Sequence, residues 1–194
     1  IPKKITGFEY SLDTVMWLAG EAAALKRLKK FTQHAVEDYQ KQRDFPAIDG
    51  TSQLSPYLTA GALSTKQCLI AAANVNDGQL SSGNVGIATW VSELVWREFY
   101  RHIMVAFPQV CKHQPLQEKT NKLRWHQSDA MLHAWQQGKT GIPIIDAAMR
   151  QLNTTGWMHN RLRVIVAMFL SKNLFLDWGL AEKYFLQRLI SDAL

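Results

Sequence analysis

The spacing of its apolar residues constrains the fold of this chain more than any other feature. Apolar side chains recur at three- and four-residue intervals, and Ser, Asp, Pro and Gly mark where these segments begin and end, which is typical of amphipathic helices. No stretch shows the sustained period-two alternation of a half-buried strand. The chain has 194 residues, 47% hydrophobic and 20% charged, which suffice for one compact domain with a core. The sequence therefore predicts an all-α domain.

Helix-start and helix-stop residues predict the order of the helices. In the first half, the sequence predicts a first helix that is capped by Ser11 or Asp13 and has Leu18, Ala22 and Leu25 facing inward, followed by a helix over 28–42. A short helix follows, with Ser55 as its N-cap and Pro56 as its first residue. The next two helices are one capped by Ser64, with Leu69 and Ile70 facing inward, and one from Thr89 to Phe107. In the second half, the sequence predicts helices over 129–137, 143–153, 157–174 and 181–190.

The segment Thr155–Arg163 (TGWMHNRLR) combines an indole, an imidazole, a carboxamide and two guanidinium groups. If this segment is helical, Asn160 and Arg163 lie three residues apart on one face, while Arg161 projects elsewhere. A carboxamide and a fixed cation on one face suit a planar, hydrogen-bonding, anionic ligand. The second arginine is then free for another anion.

A hydroxyl-rich segment, Gly50–Ser55 (GTSQLS), comes directly before Pro56. Hydroxyls and free amides at a helix start can hold a phosphate, because the first amides of a helix have no partner within it. Simple N-capping accounts for the same residues, and for this segment taken alone it is the favoured interpretation.

The predicted helix around residues 90–102 (WVSELVWREFYRH) carries aromatic and charged residues at helical spacing. Trp90, Glu93 and Arg97 share one face, and Glu93, Trp96 and Tyr100 share an overlapping one. Aromatic faces stack on bases or flavin rings, and a carboxylate can hydrogen-bond a base edge. The alternatives are a core stripe and a surface ion pair between Glu93 and Arg97.

Charge and composition exclude several other classes of protein. The net charge of +6 favours an anionic partner such as nucleic acid. The two cysteines, Cys68 and Cys111, form no disulfide framework and predict reduced thiols in a cytoplasmic protein. No apolar stretch approaches the ~20 residues that span a bilayer. GxGxxG, Walker, HExxH and CxxC motifs are absent and the six histidines lack metal-ligand spacing, so we expect no membrane partner and no metal.

Four segments together resemble the helical FAD-binding domain of the photolyase/cryptochrome family. They are Thr51–Ser55 (TSQLS), Trp90–His102 (WVSELVWREFYRH), Gly141–Leu152 (GIPIIDAAMRQL) and Thr155–Arg163 (TGWMHNRLR). The similarity covers nearly the whole chain, keeps the order of the family's motifs, and is greatest to bacterial class I cyclobutane pyrimidine dimer photolyases.

The resemblance implies a U-shaped FAD in a helical bundle and a role for individual residues. The implied cofactor contacts are Tyr39, Thr51, Ser52, Gln53, Leu54, Ser55, Trp90, Arg97, Asn160 and Arg163. The implied catalytic residues are Glu93, Trp96 and Asn160, and the implied DNA contacts are Arg43, Glu93, Trp96, Arg97, Tyr100, Asn160 and Arg161. Trp125 and Trp178 would be the outer and middle members of a tryptophan electron-transfer chain.

The implied activity is that of a deoxyribodipyrimidine photo-lyase, a carbon–carbon lyase. Photoexcited, reduced FAD would pass an electron to a pyrimidine dimer in DNA, the cyclobutane ring would split, and the electron would return. The expected protein is a monomer in the bacterial cytoplasm, associated with the nucleoid through its DNA.

The family also implies chain beyond both ends. It places an α/β antenna domain with its own chromophore first, so residues 1–12 would be the linker from that domain and residues 13–194 the helical FAD- and DNA-binding domain. That domain would be truncated at its C-terminal end. Ser191 and Ala193 fall where the family usually has two aspartates, and Val164 stands where some relatives carry a dimer-contacting methionine.

Two alternatives remain at this point. One is a cryptochrome-type blue-light signalling flavoprotein, and the other is a flavin-free helical module that binds DNA. Asn160 favours dimer repair, because plant-type cryptochromes tend to have aspartate there and (6-4)-type relatives have histidine.

Overall fold

The computed structural model describes residues 16–191, and every regular element within this range is helical. The α-helices are α1 (Glu21–His34), α2 (Tyr39–Gln42), α3 (Ser55–Thr59), α4 (Thr65–Asn74), α5 (Val85–Ala106), α6 (Asp129–Gln136), α7 (Pro143–Thr155), α8 (Asn160–Met168) and α9 (Trp178–Arg188). A π-helical turn, Phe169–Asn173, extends α8, and 3-10 turns at Val110–Lys112 and Glu118–Lys122 lie between α5 and α6. The predicted all-α fold is confirmed; the predicted linker over 1–12, Ser11 and Asp13 lie outside the described residues.

Local capping explains where several helices begin. Ser64 forms a complete capping box with Gln67 at the start of α4, as the sequence predicts. Pro143 opens α7, whose end is fixed by Gly156 in the left-handed region at φ 69°. The predicted start of α5 at Thr89 is wrong by about one turn, because the Asn84 side chain accepts the amides of the first turn and starts the helix at Val85.

The first half of the chain departs most from the sequence prediction. The predicted helix over 28–42 is two helices, because the chain turns after His34 and starts again at Tyr39. Helix α1 buries Ala24, Leu28 and Phe31. The predicted inward stripe is therefore wrong: Leu18 precedes the helix at 69% exposure, and Leu25 is exposed on it. Ile70, also predicted to face inward, is 51% exposed.

Two smaller corrections concern the predicted starts of α3 and α9. Ser55 is the first residue of α3 rather than its N-cap, which is Leu54. The Ser55 hydroxyl instead donates to the Ser191 hydroxyl at 3.3 Å. The predicted final helix over 181–190 begins three residues earlier, at Trp178, because the Asp177 carboxylate accepts the Gly179 amide.

The buried residues form two separate cores, one in each half of the chain. The first is built by α1–α5 and includes Leu28, Phe31, Leu54, Ile87, Trp90 and Leu94. The second is built by α6–α9 and includes Trp135, Met149, Leu152, Met158, Val166 and Phe185. Trp135 is fully buried in the second core and donates its indole N–H to the Val166 carbonyl at 3.0 Å.

A close backbone approach holds α2 against α5 in the first core. Gly86 is buried in the first turn of α5 and faces the backbone carbonyls of Val36 and Glu37. A Cβ at residue 86 would lie well inside the contact distance of both oxygens. Glycine is therefore required here, and it fixes the position of α2, which carries Tyr39, relative to the long helix α5.

None of the helices within residues 16–191 is long and apolar enough to cross a membrane.

Candidate functional site

A cavity of about 330 Å³ is lined from both halves of the chain. Its lining contains the ten residues that the sequence resemblance implies as cofactor contacts, together with three further residues implied for catalysis or DNA binding. These are Tyr39, Thr51, Ser52, Gln53, Leu54, Ser55, Trp90, Arg97, Asn160 and Arg163, and then Glu93, Trp96 and Tyr100. The structure thus brings together, around one cavity, residues that lie up to 124 positions apart in the sequence.

A second cavity of about 570 Å³ adjoins the first and shares Met104, Asn160 and Arg163 with it. The remainder of its lining is largely apolar and includes Val164 and Phe185. Since ligand pockets commonly span roughly 300–1,000 Å³, the adjoining spaces suit a ligand with a polar end and a flat or apolar end.

The loop Gly50–Ser55 forms one wall of the first cavity. Gly50 packs so closely on Gln42 that a Cβ would overlap the Gln42 side chain, which places the start of the loop against α2. Gln53 has a left-handed backbone with φ 50°, an unusual conformation for a non-glycine residue. Leu54, which follows, is almost completely buried in the first core. Packing on Gln42 and on the first core thus fixes the position of the loop, and Thr51, Ser52 and Ser55 line the cavity.

Helix α5 supplies an aromatic floor that passes from core to surface. Trp90 is 2% exposed and packs edge-to-face on Phe31 with ring centroids 5.1 Å apart. Farther along α5, Trp96 and Tyr100 are 51% and 54% exposed, with their ring centroids 6.1 Å apart. Of Trp90, Trp96 and Tyr100, only Trp90 therefore fits the alternative prediction that these aromatic residues form a buried core stripe. Exposed aromatic rings beside a cavity are suited to stacking on a planar group that enters from solvent.

Alternating charges connect the two halves beside the cavity. The Arg43 Nη1 donates to Glu93 Oε1 at 2.6 Å, and Arg161 Nε donates to Asp44 Oδ1 at 2.6 Å. Arg43 Nε is also 3.8 Å from Asp44 Oδ1, so the four groups form a row of alternating sign. Arg43 and Arg161, which the resemblance implies as DNA contacts, lie outside the cavity lining. Arg97 lines the cavity and donates to the Leu58 carbonyl at 3.3 Å.

Tyr39 is a buried phenol beside this row of charges. Burial raises its pKa to about 12, although the nearby Arg43 guanidinium acts in the opposite direction. The same guanidinium lies over the Tyr39 ring, 5.4 Å from its centroid. Tyr39 therefore remains a neutral hydrogen-bonding group in the cavity wall.

The start of α8 forms the opposite wall. The predicted helix from Trp157 begins at Asn160 instead, because Gly156 ends α7 and His159 takes the N-cap position. The His159 Nδ1 accepts the Arg161 amide at 3.1 Å. Asn160 and Arg163 both line the cavity and Arg161 turns toward Asp44, as the helical spacing predicts.

Arg163 carries a buried donor. Its Nε is enclosed and has no hydrogen-bond partner within residues 16–191, and burial lowers the pKa of its guanidinium. The pKa of His159 is also lowered, by burial and by the charges of Arg161 and Arg163. His159 is therefore a neutral imidazole whose Nδ1 accepts, while Arg163 is a half-buried cation in the cavity lining that suits an acceptor group there.

Sequence comparisons identify the family to which this arrangement belongs. The sequence profile of the FAD binding domain of DNA photolyase matches residues 90–193. The chain belongs to the photolyase/cryptochrome family. It is 49% identical over 184 residues to the deoxyribodipyrimidine photo-lyase of Escherichia coli K12, covering 95% of this chain and 39% of that protein. It thus spans about two fifths of the length of that relative.

Solved structures of photolyase/cryptochrome proteins have the same helical arrangement. A bacterial class III photolyase from Agrobacterium tumefaciens is similar with a TM-score of 0.85 and 38% identity, over 90% of this chain and 36% of that one. A cryptochrome from Synechocystis sp. PCC6803 is similar with a TM-score of 0.81 and 30% identity, over 97% of this chain and 39% of that one. The fold is therefore that of the family's FAD-binding domain.

The two tryptophans implied for electron transfer lie away from the first cavity of this photolyase-family domain. Trp178 begins α9 and lines the second cavity together with Arg163. Trp125 packs against Phe175, with ring centroids 5.2 Å apart, in a separate surface depression. Trp178 thus lines a space that adjoins the first cavity, whereas Trp125 lines neither cavity. Their roles in electron transfer stay a prediction.

Sequence reasoning missed several residues of the site. Trp157 and Met158 line the cavity, and Asp44 pairs with Arg161 across 117 positions. Trp157 and Met158 lie within the segment Thr155–Arg163, whose unusual side chains already marked it as a candidate site, so the sequence could have predicted them. For Asp44 no local signal exists, because its partner lies in the other half of the chain.

Proposed function

We propose that this chain is the flavin-binding part of an enzyme that repairs cyclobutane pyrimidine dimers in DNA, using light and reduced FAD. The proposal is supported by the family of the chain and by a cavity whose lining contains every residue implied for the cofactor. The observation that carries it is Arg163, a half-buried cation that lines this cavity and whose enclosed Nε has no hydrogen-bond partner among residues 16–191.

The residues of the cavity fit FAD by their chemistry. Arg163 and Asn160 supply donors to ring carbonyls, and the hydroxyls of Thr51, Ser52 and Ser55 suit phosphates and the ribityl chain. Bound FAD, once reduced and excited by light, supplies the electron for ring splitting. The neighbouring apolar cavity adds space that excludes water from a flat ring system.

The opening of the cavity suits a base that has left the DNA duplex. A dimer is poorly stacked, so extruding it costs less than extruding an ordinary base pair. Trp96 and Tyr100 offer half-exposed rings on which it would stack, and Glu93 presents carboxylate oxygens to base-edge N–H groups. Arg43 and Arg161, just outside, would bind the flanking phosphates and make binding salt-dependent.

Two measurements test this function. The purified chain is titrated with FAD while flavin absorbance and fluorescence are followed, and the loaded protein is then illuminated with dimer-containing DNA after chemical reduction. We expect saturable FAD binding and loss of dimers only in the light. Illuminated, flavin-loaded protein that leaves the dimers intact would overturn repair by this chain.

Glu93→Ala separates DNA chemistry from cofactor binding. The variant should bind FAD as the wild type does but repair dimers about tenfold to a hundredfold more slowly, because it lacks the group that hydrogen-bonds the dimer. Unchanged repair would remove Glu93 from the mechanism. Thr89→Ala on the same helix is a matched control, since the Thr89 hydroxyl donates to the Val85 carbonyl of its own helix and Thr89 does not line the cavity.

A light-sensing function is the second candidate, supported by the 30% identity to the Synechocystis cryptochrome. Such a protein would bind FAD and respond to light without removing dimers. Asn160 favours repair, because plant-type cryptochromes tend to have aspartate at this position. The same illumination experiment distinguishes the two functions, since a signalling flavoprotein would photoreduce its flavin and leave the DNA unrepaired.

A further inference from the structure

A basic cavity of about 780 Å³ lies behind the 50–55 loop, on the side opposite the first cavity. Its lining includes Thr51, Ser52 and Gln53, which also line the first cavity, so these three residues form a thin wall between the two spaces. Helix α1 faces this wall with Lys26, Arg27 and Lys30. The contacts that hold Thr51, Ser52 and Gln53 in place therefore determine which of their groups face the first cavity.

Gln53 is the residue of this wall that needs the most support. Its left-handed backbone, at φ 50°, costs roughly 1 kcal/mol or more for a residue with a Cβ. A conformation of this kind persists only when surrounding contacts fix it. The sequence resemblance implies Gln53 as a cofactor contact, but its polar side-chain groups are bonded to other residues of the chain.

Each polar group of the Gln53 side chain has a specific partner. The amide oxygen Oε1 accepts from Arg27 Nη1 at 2.8 Å, and the amide nitrogen Nε2 donates to Asp49 Oδ1 at 2.9 Å. Since arginine only donates and a carboxylate only accepts, these partners fix the orientation of the amide. The Gln53 backbone carbonyl accepts the indole N–H of Trp17 at 2.9 Å.

Arg27 connects these contacts into one unit. Its second terminal nitrogen, Nη2, donates to the Met16 carbonyl at 2.8 Å, and its guanidinium lies 5.4 Å from the centroid of the Trp17 ring. One planar group thus holds Gln53, the backbone of residue 16 and the indole that binds the Gln53 carbonyl. A lysine could not make this pair of parallel donors, because its ammonium is a point charge without the fork geometry.

We propose that Arg27 is a positioning residue for the 50–55 loop: it fixes the side chain and backbone of Gln53 and thereby keeps Thr51, Ser52 and Ser55 in the lining of the first cavity. The inference rests on the proposed function, because the cofactor proposed for this cavity is FAD. Arg27 acts through Gln53 and does not itself line the first cavity. Its charge is used within the protein rather than for attracting an anion.

The first test measures the loop without any flavin. Hydrogen exchange of the amides in 50–55 is followed by mass spectrometry in the wild type, Arg27→Ala, Gln53→Ala and the double variant. We expect faster exchange in both single variants, no further increase in the double variant, and unchanged exchange in α7. Lys30→Ala is the matched control, because Lys30 lines the same basic cavity and makes no hydrogen bond to Gln53.

The second test measures FAD affinity by fluorescence titration of the same proteins. Arg27→Ala and Gln53→Ala should each weaken binding roughly tenfold, and the double variant should be no weaker than either single one, because both remove the same charge-assisted hydrogen bond. Arg27→Lys should bind as weakly as Arg27→Ala, and Lys30→Ala as tightly as the wild type. Exchange in 50–55 that stays unchanged in Arg27→Ala, wild-type FAD affinity in Arg27→Lys, or multiplying losses in the double variant would each overturn the proposal.

The two tests keep this inference separate from the function on which it rests. A wild-type chain that fails to bind FAD would contradict the proposed function. The exchange experiment would still decide the role of Arg27, since it compares flavin-free proteins.

Discussion

The two walls of the cavity are stabilised in different ways. The 50–55 loop has its unusual residue, Gln53, bonded on three sides by Trp17, Arg27 and Asp49. The opposite wall, at the start of α8, contains Arg163, whose buried Nε has no hydrogen-bond partner within residues 16–191. A buried donor without a partner costs about 1–3 kcal/mol. The first wall is therefore held by contacts within the chain, whereas the second keeps a donor without a partner among residues 16–191, and we expect a ligand beside Arg163 to stabilise it.

The largest expected effect tests the first wall through the core behind it. Gly86→Ala should lower the free energy of unfolding by about 3 kcal/mol, because the new methyl group meets the Val36 and Glu37 carbonyls and forces α2 away from α5. Urea denaturation measures the change. Gly179→Ala in α9 is the control: its Cβ would be 3.4 Å from the nearest atom, Asp177 Oδ1, and stability should stay within about 0.5 kcal/mol. Equal stabilities of the two variants would show that α2 is not fixed by this approach.

The second prediction tests the opposite wall, with effects of opposite sign on stability and binding. Arg163→Met should raise the stability of the flavin-free protein by about 1–2 kcal/mol, because it removes an enclosed Nε donor that has no hydrogen-bond partner within residues 16–191. The same change should weaken FAD binding by about 2 kcal/mol, or roughly thirtyfold, because the ligand loses a charged donor. Thermal unfolding and FAD titration measure the two quantities.

Arg161→Met, two residues earlier on α8, is the matched control for this prediction. Its Nε is paired with Asp44 and its side chain is 43% exposed, so neither stability nor FAD affinity should change by more than about 0.5 kcal/mol. A flavin-free Arg163→Met protein that is less stable than the wild type would mean that the second wall, like the first, is complete without a ligand.

The difference between the walls also explains what the sequence could predict. The second half has strong punctuation, with Ser128, Gly138, Pro143 and Gly156 at helix ends, and its predicted boundaries lie within about one turn of the structure. In the first half the chain turns at Ala35 without a glycine or proline, so apolar periodicity wrongly joined α1 and α2.

The composition of the cavity was predictable for a different reason. The resemblance to the family predicted many of the lining residues, because they lie in short sequence motifs that are recognisable without knowledge of the structure. The contacts that hold those residues were not predictable, since Arg27 with Gln53 and Arg161 with Asp44 join positions 26 and 117 residues apart. Such pairs depend on how the helices pack, which local periodicity does not encode.

The third prediction concerns Asp44, the acidic group that links the two halves of the chain beside the cavity. Asp44 Oδ1 lies 2.6 Å from Arg161 Nε and 3.8 Å from Arg43 Nε. The family resemblance implies both arginines as DNA contacts. Asp44→Asn should cost at most about 1 kcal/mol of stability, since the group is exposed. It should tighten binding to dimer-free duplex DNA roughly threefold at low salt, because a negative charge beside both arginines is removed. Fluorescence anisotropy at several salt concentrations measures this change.

Asp38→Asn is the control for this charge effect, since Asp38 pairs with Lys41 on the surface of the first half and contacts neither arginine. Weaker DNA binding by Asp44→Asn would mean that Asp44 orients the two arginines for DNA rather than competing with the phosphates.

The smallest effect is a pH dependence that belongs to the second wall alone. The pKa of His159 is lowered by burial and by the charges of Arg161 and Arg163, against the opposing effects of the Arg43 backbone and Asp44. The folded protein therefore binds this proton less readily than the unfolded chain does. The contribution of neutral His159 to stability is therefore present above the pKa of about 6.5 that histidine has in the unfolded chain, and it is lost as the pH falls below that value. Protonation would also end the acceptance of the Arg161 amide by Nδ1.

His159→Asn tests this dependence because asparagine is a good N-cap that does not titrate. Unfolding measured by urea between pH 8 and about pH 5 should show stability falling more steeply in the wild type than in the variant, with the difference confined to the acid side of about pH 6.5. His102→Asn is the control, since His102 lies on the exposed surface of α5 in the first half. A parallel decline in wild type and His159→Asn would show that the cap at the start of α8 tolerates a charged imidazole. The contrast between the walls would then rest on Arg163 alone.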